Sequence, residues 1–165
     1  QGFNFKIPSI KDYKPLNKIP TFLYCGSFYD DFRNPIPFLD YLSTLDLNFK
    51  FVVYTPNFDM VQEYVPKLKN KLELRNYIQR EELLKELINY DFLINFENVE
   101  LPGLLPSKLI DYAIADRPIL SINNSTLSTQ SILDFFHGNY ENRLKIKNME
   151  NYQINNVAQK FIDLF

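Results

Sequence analysis

The sequence predicts an α/β domain of three layers, with a parallel sheet of five to six strands and helices on both faces. Three observations carry that expectation. Five short apolar runs recur at regular intervals along the 165 residues, and they lack the polar alternation of a half-solvated sheet. Between them lie segments of helical period, about 10–15 residues long, which is the rhythm of βαβ units. The length suits one well-buried core and is short for two.

Residues 1–19 hold lysines and prolines without a period and read as a linker or incoming arm to a domain at 20–165. The predicted strands are Thr21–Cys25, Phe49–Tyr54, Leu72–Ile78, Asp91–Phe96 and Pro118–Ile122, each rich in Phe, Val, Ile, Leu or Tyr. The first helix is expected over Asn34–Leu45, with Pro35 and Pro37 near its start and Phe38, Leu39 and Leu42 on one face. Asp59 is placed to cap a helix through Leu68 that Pro66 should end or bend early. Arg80–Asn89 carries Leu83, Leu84, Leu87 and Ile88 at helical spacing. Helices are expected again over Pro106–Ala115 and Ser128–Phe136. A sixth strand is expected at Arg143–Lys147, before a closing helix over Met149–Phe165 with Val157, Phe161 and Leu164 apolar. The whole is a doubly wound, Rossmann-like pattern. In such sheets ligands bind beyond the carboxyl ends of the strands, here the loops 26–33, 77–80, 95–105 and 123–128. Gly26, Tyr77 and Pro106 should therefore share one edge.

Composition narrows the function. A net charge of −2 argues against a broad basic face for nucleic acid. The single cysteine, Cys25, excludes an internal disulfide framework and fits a reducing, cytoplasmic setting. As the end residue of a buried strand it reads as a small core side chain. His137, the lone histidine, precedes Gly138 and fits a helix C-terminus rather than a metal site. No metal or cofactor is expected. No apolar run approaches the ~20 residues of a membrane helix, and no signal peptide opens the chain. Gln1 stands where Met would, as in a processed or excised piece.

Two constellations could carry chemistry. Gly26 and Ser27 directly follow the first strand, in a loop that runs to Arg33. A glycine there admits close backbone approach, and a helix start offers N–H groups to an anion; a plain turn with a solvated arginine is the alternative. The three-glycine dinucleotide fingerprint is absent. In the second, Ser107 and Lys108 stand at the start of a helix, and a lysine at that positive end is electrostatically odd unless a phosphate comes to the same spot. Asp111 lies three residues on and can share a face with Lys108 and Ser107. An i,i+3 surface ion pair between Lys108 and Asp111 explains the same spacing.

The run PSKLIDYAIADRPILSI (residues 106–122) resembles the donor-site signature of retaining glycosyltransferases built from two Rossmann-like domains, the GT-B fold. FLYCGSFYDDFRNP (22–35) is similar to the first strand and glycine loop of that family's C-terminal domain. LRNYIQREELLKELINYDFLINFENVE (74–100) resembles the stretch whose turn contacts the nucleotide base. The resemblance covers residues 20–122 and implies a hexosyltransferase-type donor-binding domain of the group 1, family 4-like kind. It implies that Gly26, Ser27, Arg33, Ser107 and Lys108 meet the donor diphosphate, that Asp111 holds the ribose, and that Tyr77 and Ile78 flank the base. Many members carry Glu where this chain has Gly103, so the sugar side falls to Glu97, Asn98 and Glu100. Asp116 stands where the family has Gly, implying a turn that tolerates Asp. The resemblance further implies a nucleotide-diphosphate sugar as partner and an acceptor acting in cell-surface polysaccharide or lipopolysaccharide assembly. A separate N-terminal acceptor domain is implied, without which this chain should not transfer sugar, and so is peripheral membrane association of the full-length enzyme. Two rival functions share the fold: an epimerase-type nucleotide-sugar enzyme, which would need more acidic and histidine side chains in the cleft, and a non-catalytic binding domain.

Overall fold

The computed structural model describes residues 13–97, 107–146 and 149–162. Five strands form one parallel sheet: β1 (Thr21–Cys25), β2 (Lys50–Tyr54), β3 (Leu72–Arg75), β4 (Phe92–Phe96) and β5 (Ile119–Ile122), in the order β3-β2-β1-β4-β5. Helices α1 (Ile36–Thr44), α2 (Val65–Leu68), α3 (Arg80–Leu87), α4 (Ser107–Ile114), α5 (Thr129–Phe136) and α6 (Ile154–Ile162) connect or follow them.

The alternation of side chains along each buried strand divides the core in two. Phe22, Tyr24, Phe51, Val53, Phe92, Ile94, Phe96, Leu120 and Ile122 face one side, where α1, α5 and the α2 turn cover them. Leu23, Cys25, Val52, Tyr54, Leu93 and Ile119 face the other, beneath α3 and α4. On the first side Phe51, Phe22 and Phe92 stack in a row across three neighbouring strands, with ring centroids 4.8 Å apart at each step. That spacing is the distance between paired strands, so the rings ride directly on the sheet.

The chain winds outward from β1 to β2 and β3 with α1 and α2 on one face. It then crosses back over the other face through α3 to β4, on the far side of β1. The direction of winding therefore reverses between β1 and β4, and crevices for ligands open at the carboxyl ends of strands at such a reversal.

Five local expectations need correction. Residues 143–146 form no strand; Leu144 gives β5 only its N–H, to Ile119 O at 2.8 Å, and Lys147 lies outside the described residues. β3 stops at Arg75, three residues short of Ile78. Asp59 caps no helix, because its N–H and carboxylate are tied up with the Asn57 side chain. Pro66 sits in the first turn of α2, where a missing N–H is harmless, so it opens that short helix instead of ending it. The closing helix also starts late: Met149–Tyr152 is a 3₁₀ turn and α6 begins at Ile154.

At the opposite, amino edge of the sheet, Asp91 anchors the arm. Its Oδ1 accepts from the N–H groups of Leu16 and Asn17, and its Oδ2 from Thr21 N (2.7 Å), Thr21 Oγ1 (3.0 Å) and Asn17 Nδ2 (3.2 Å). Gly138, at φ +78 after α5, admits the same arm: a Cβ there would lie 2.6 Å from Pro15 Cγ. His137 closes α5 as expected, its N–H donating to Leu133 O and Asp134 O. Asp116 adopts φ 53, the left-handed turn expected of it, and accepts from the Tyr13 hydroxyl at 2.8 Å.

Candidate functional site

The loop after β1 is shaped by Tyr24. Its hydroxyl folds back to donate to Ser27 O at 2.8 Å, and it passes so close to Gly26 that a Cβ there would lie 2.9 Å from it. Gly26, at φ +145, is the residue this turn requires, and its N–H donates to Tyr54 O at 3.0 Å. The loop ends on Arg33 in the left-handed region at φ 54, an uncommon state for a long side chain. Arg33 lies over the Phe32 ring, 5.8 Å from its centroid, and Phe32 stacks on the exposed Tyr29.

Because α4 follows β4, its first residues return to this same edge. Tyr112, on the inner face of α4, accepts from the Cys25 N–H at 2.9 Å and fixes the helix against the end of β1. One turn earlier, Lys108 is half-buried as a residue, but its Nζ is covered and lies 4.6 Å from the centroid of the Tyr24 ring. Neither Lys108 Nζ nor Arg33 Nε has a hydrogen-bond partner, although both atoms are buried. Burial first, and the Arg33 charge second, lower the Lys108 pKa from its ordinary 10.5 to about 7. Burial raises the Cys25 thiol to about 11, so Cys25 stays a protonated core residue, as the sequence suggested.

Asp111 does not pair with Lys108. It accepts both Nε (2.8 Å) and a terminal nitrogen of Arg80, the first residue of α3, across the cleft between the two helices. Sequence reasoning missed Arg80; the only signal was a basic residue opening a helix at the carboxyl edge, 31 positions from its partner. Just before it, Tyr77 is 61% exposed, while Ile78 packs against the α3–α4 core. Glu97, past the end of β4, accepts from Asn123 Nδ2 at 2.9 Å and gives its N–H to Ile122 O. One rung deeper, Asn95 donates to Ser121 Oγ at 3.1 Å and leaves its own Oδ1 buried and unmet. Asn98, Glu100, Gly103 and Pro106 lie outside the described residues.

The structure thus brings Gly26, Ser27, Arg33, Ser107, Lys108 and Asp111 to the point where the winding reverses, with Tyr77 and Ile78 on the same edge. The arrangement offers two buried cationic donors with no paired carboxylate among the described residues, and a helix start, which together suit an anion. It offers a carboxylate next to them whose charge is already matched. No group of His, Cys, Asp and Glu among the described residues could hold a metal ion. No helix among them is long and apolar enough to cross a membrane.

Among solved structures, the chain is similar to the apo form of the lipopolysaccharide outer core galactosyltransferase WaaB, with a TM-score of 0.57 and 12% identity. It is similar also to a point mutant of S. aureus TarM in complex with fondaparinux, alpha-GlcNAc-glycerol and UDP, with a TM-score of 0.60 and 14% identity. Each match covers 98% of this chain, which spans 54% of the first structure's length and 38% of the second's. At such identities the likeness is one of fold, and it is the fold that the sequence resemblance implied. No family model and no curated protein matches the sequence.

Proposed function

We propose that this domain binds the nucleotide-diphosphate sugar donor of a glycosyltransferase, as one part of a longer enzyme that transfers the sugar to a cell-surface polysaccharide or lipopolysaccharide acceptor. The observation that carries the reading is the pair of buried, unpartnered cationic donors, Lys108 Nζ and Arg33 Nε, at the carboxyl edge. Buried donors without a protein partner cost free energy, and an anion arriving at this edge would relieve both. A diphosphate supplies both negative charge and acceptor oxygens. The WaaB structure is that of a galactosyltransferase and the TarM structure holds UDP, which supports the same class of donor.

Gly26, Ser27 and Ser107 line the diphosphate place with Arg33 and Lys108, and Asp111 accepts from the ribose hydroxyls while Arg80 holds it. Tyr77 and Ile78 flank the base, and Glu97 with Asn98 and Glu100 lies on the sugar side. The acceptor pocket belongs to a second domain, and the work is cytoplasmic, at the inner face of the membrane. In transfer, the cations stabilise the diphosphate as it leaves, without need of a metal.

Calorimetric titration with nucleoside diphosphates tests this. A charge-assisted hydrogen bond is worth roughly 1.5–3 kcal/mol, so Lys108→Ala should weaken diphosphate binding about tenfold or more and barely touch the uncharged nucleoside. Asp111→Asn should weaken both and blunt discrimination against the deoxyribose analogue. The chain alone should transfer no sugar. Unchanged affinity of both variants for every nucleotide would leave only the fold likeness standing.

A further inference from the structure

We infer that Lys108 is a retracted, chargeable lysine: an arriving diphosphate draws its amine from over the Tyr24 ring, and binding carries a proton into the site with it. The inference rests on the diphosphate reading above and concerns how that site is regulated.

An ammonium has three donors, and in this structure none of the three is used. The groups around it offer no relief. From the loop after β1 comes Arg33, a like charge. From β1 itself come the Tyr24 ring and the Cys25 thiol, both held protonated by burial. From α4, Tyr112 spends its hydroxyl on the Cys25 N–H, and Asp111 is taken by Arg80. Among the described residues no carboxylate is paired with the amine.

A buried ammonium next to a like charge is relieved when one of the two groups sheds its proton. A guanidinium does not do so at accessible pH, whereas a lysine does. Lys108 is accordingly half neutral near pH 7. The four-carbon stem of this half-buried residue gives the amine the reach to leave the ring once an anion arrives. A diphosphate reverses the electrostatic sign of the pocket and restores the lysine's ordinary preference for its proton.

Binding should therefore take up about half a proton per ligand at pH 7, about one at pH 8.5 and close to none at pH 6, and affinity should fall about 15-fold from pH 7 to pH 8.5. The probes are inorganic pyrophosphate and UDP, with uptake read by titration in buffers of different ionisation enthalpy. Lys108→Arg, permanently charged, and Lys108→Met, permanently neutral, provide the subtraction. Uptake that follows this profile in the native chain and is missing from both variants supports the inference. Equal uptake in all three, or an affinity independent of pH, overturns it and leaves the diphosphate site intact. Failure of the native chain to bind either probe overturns the site itself.

Discussion

Replacing Lys108 by methionine should make the empty domain more stable, and the gain should depend on pH in a way that identifies the group. Methionine fills nearly the same volume beside Tyr24 and needs no donors satisfied. The native lysine titrates near 7 when folded and at 10.5 when unfolded. Its folded pKa is depressed and its charged form is the disfavoured one, so the unfolded chain binds more protons between those values. Stability must then rise with pH across that window. Each unit of pKa corresponds to about 1.4 kcal/mol, so the penalty in the native protein is at most roughly 5 kcal/mol below pH 7. It should shrink by about 1.4 kcal/mol per pH unit from pH 7.5 to pH 9.5. Urea unfolding of both proteins over this range measures the difference directly, because every other titrating group cancels between them. Cys25, raised by burial to about 11 although the lysine charge lowers it, would only rise further without Lys108, so its thiol stays protonated in both folded proteins over this range. Converging curves, with the variant ahead by several kcal/mol at pH 6.5, are expected. Parallel curves would mean that the amine already has a counter-charge, and the argument from a dry, unpaired cation would fail.

Three further outcomes follow from features elsewhere. Asp91→Ala strands the N–H groups of Leu16, Asn17 and Thr21 and should destabilise by about 3 kcal/mol or more in urea unfolding; a loss under 1 kcal/mol would show the arm to be loosely held. Arg80→Gln leaves Asp111, whose side chain is only 12% exposed, without its ion partner, while the Arg80 side chain is 41% exposed and the pair is partly screened. A loss of about 1–2 kcal/mol is expected, with a positive coupling in the double-mutant cycle with Asp111→Asn; additive effects would refute it. Ser128→Ala removes the side chain that accepts from Ser131 N at the start of α5 and should lower stability by about 1 kcal/mol, with Ser128→Gly losing less.

The sheet was legible because its signal is local. Thr21–Cys25 was placed to the residue, and four of the five strands end where the apolar runs end, since a strand covered on both faces must be apolar throughout. β3 fails for the same reason: at the sheet edge Glu73 and Arg75 point partly to solvent, and the apolar Tyr77 and Ile78 beyond them belong to the loop before α3. Arg143–Lys147 resembled a strand by composition, yet among its described residues, 143–146, one hydrogen bond from Leu144 is all that reaches β5. In the candidate site, the residues were legible and their pairing was not. Helical spacing made Lys108 and Asp111 natural partners, but the fold brings Arg80 to Asp111 from another helix and sends the lysine inward. No local pattern encodes that choice, because it depends on the crossing of α3 and α4. Asp91 read simply as the opening residue of a strand, and only the folded arm shows what its carboxylate holds.

The two ends of the sheet differ in how completely their polar groups are satisfied. At the amino end one carboxylate accepts from five donors, so any local opening there must strip several bonds at once, and a single buried donor among the described residues, Arg117 Nε, goes unmet. At the carboxyl end lie Arg33 Nε, Asn95 Oδ1, Lys108 Nζ and Asn124 Oδ1, buried atoms that would gain water by opening. The free energy of local opening should therefore fall from one edge to the other. Breathing of the empty domain is then concentrated where a ligand has to enter, while the base of the sheet keeps its strands in register.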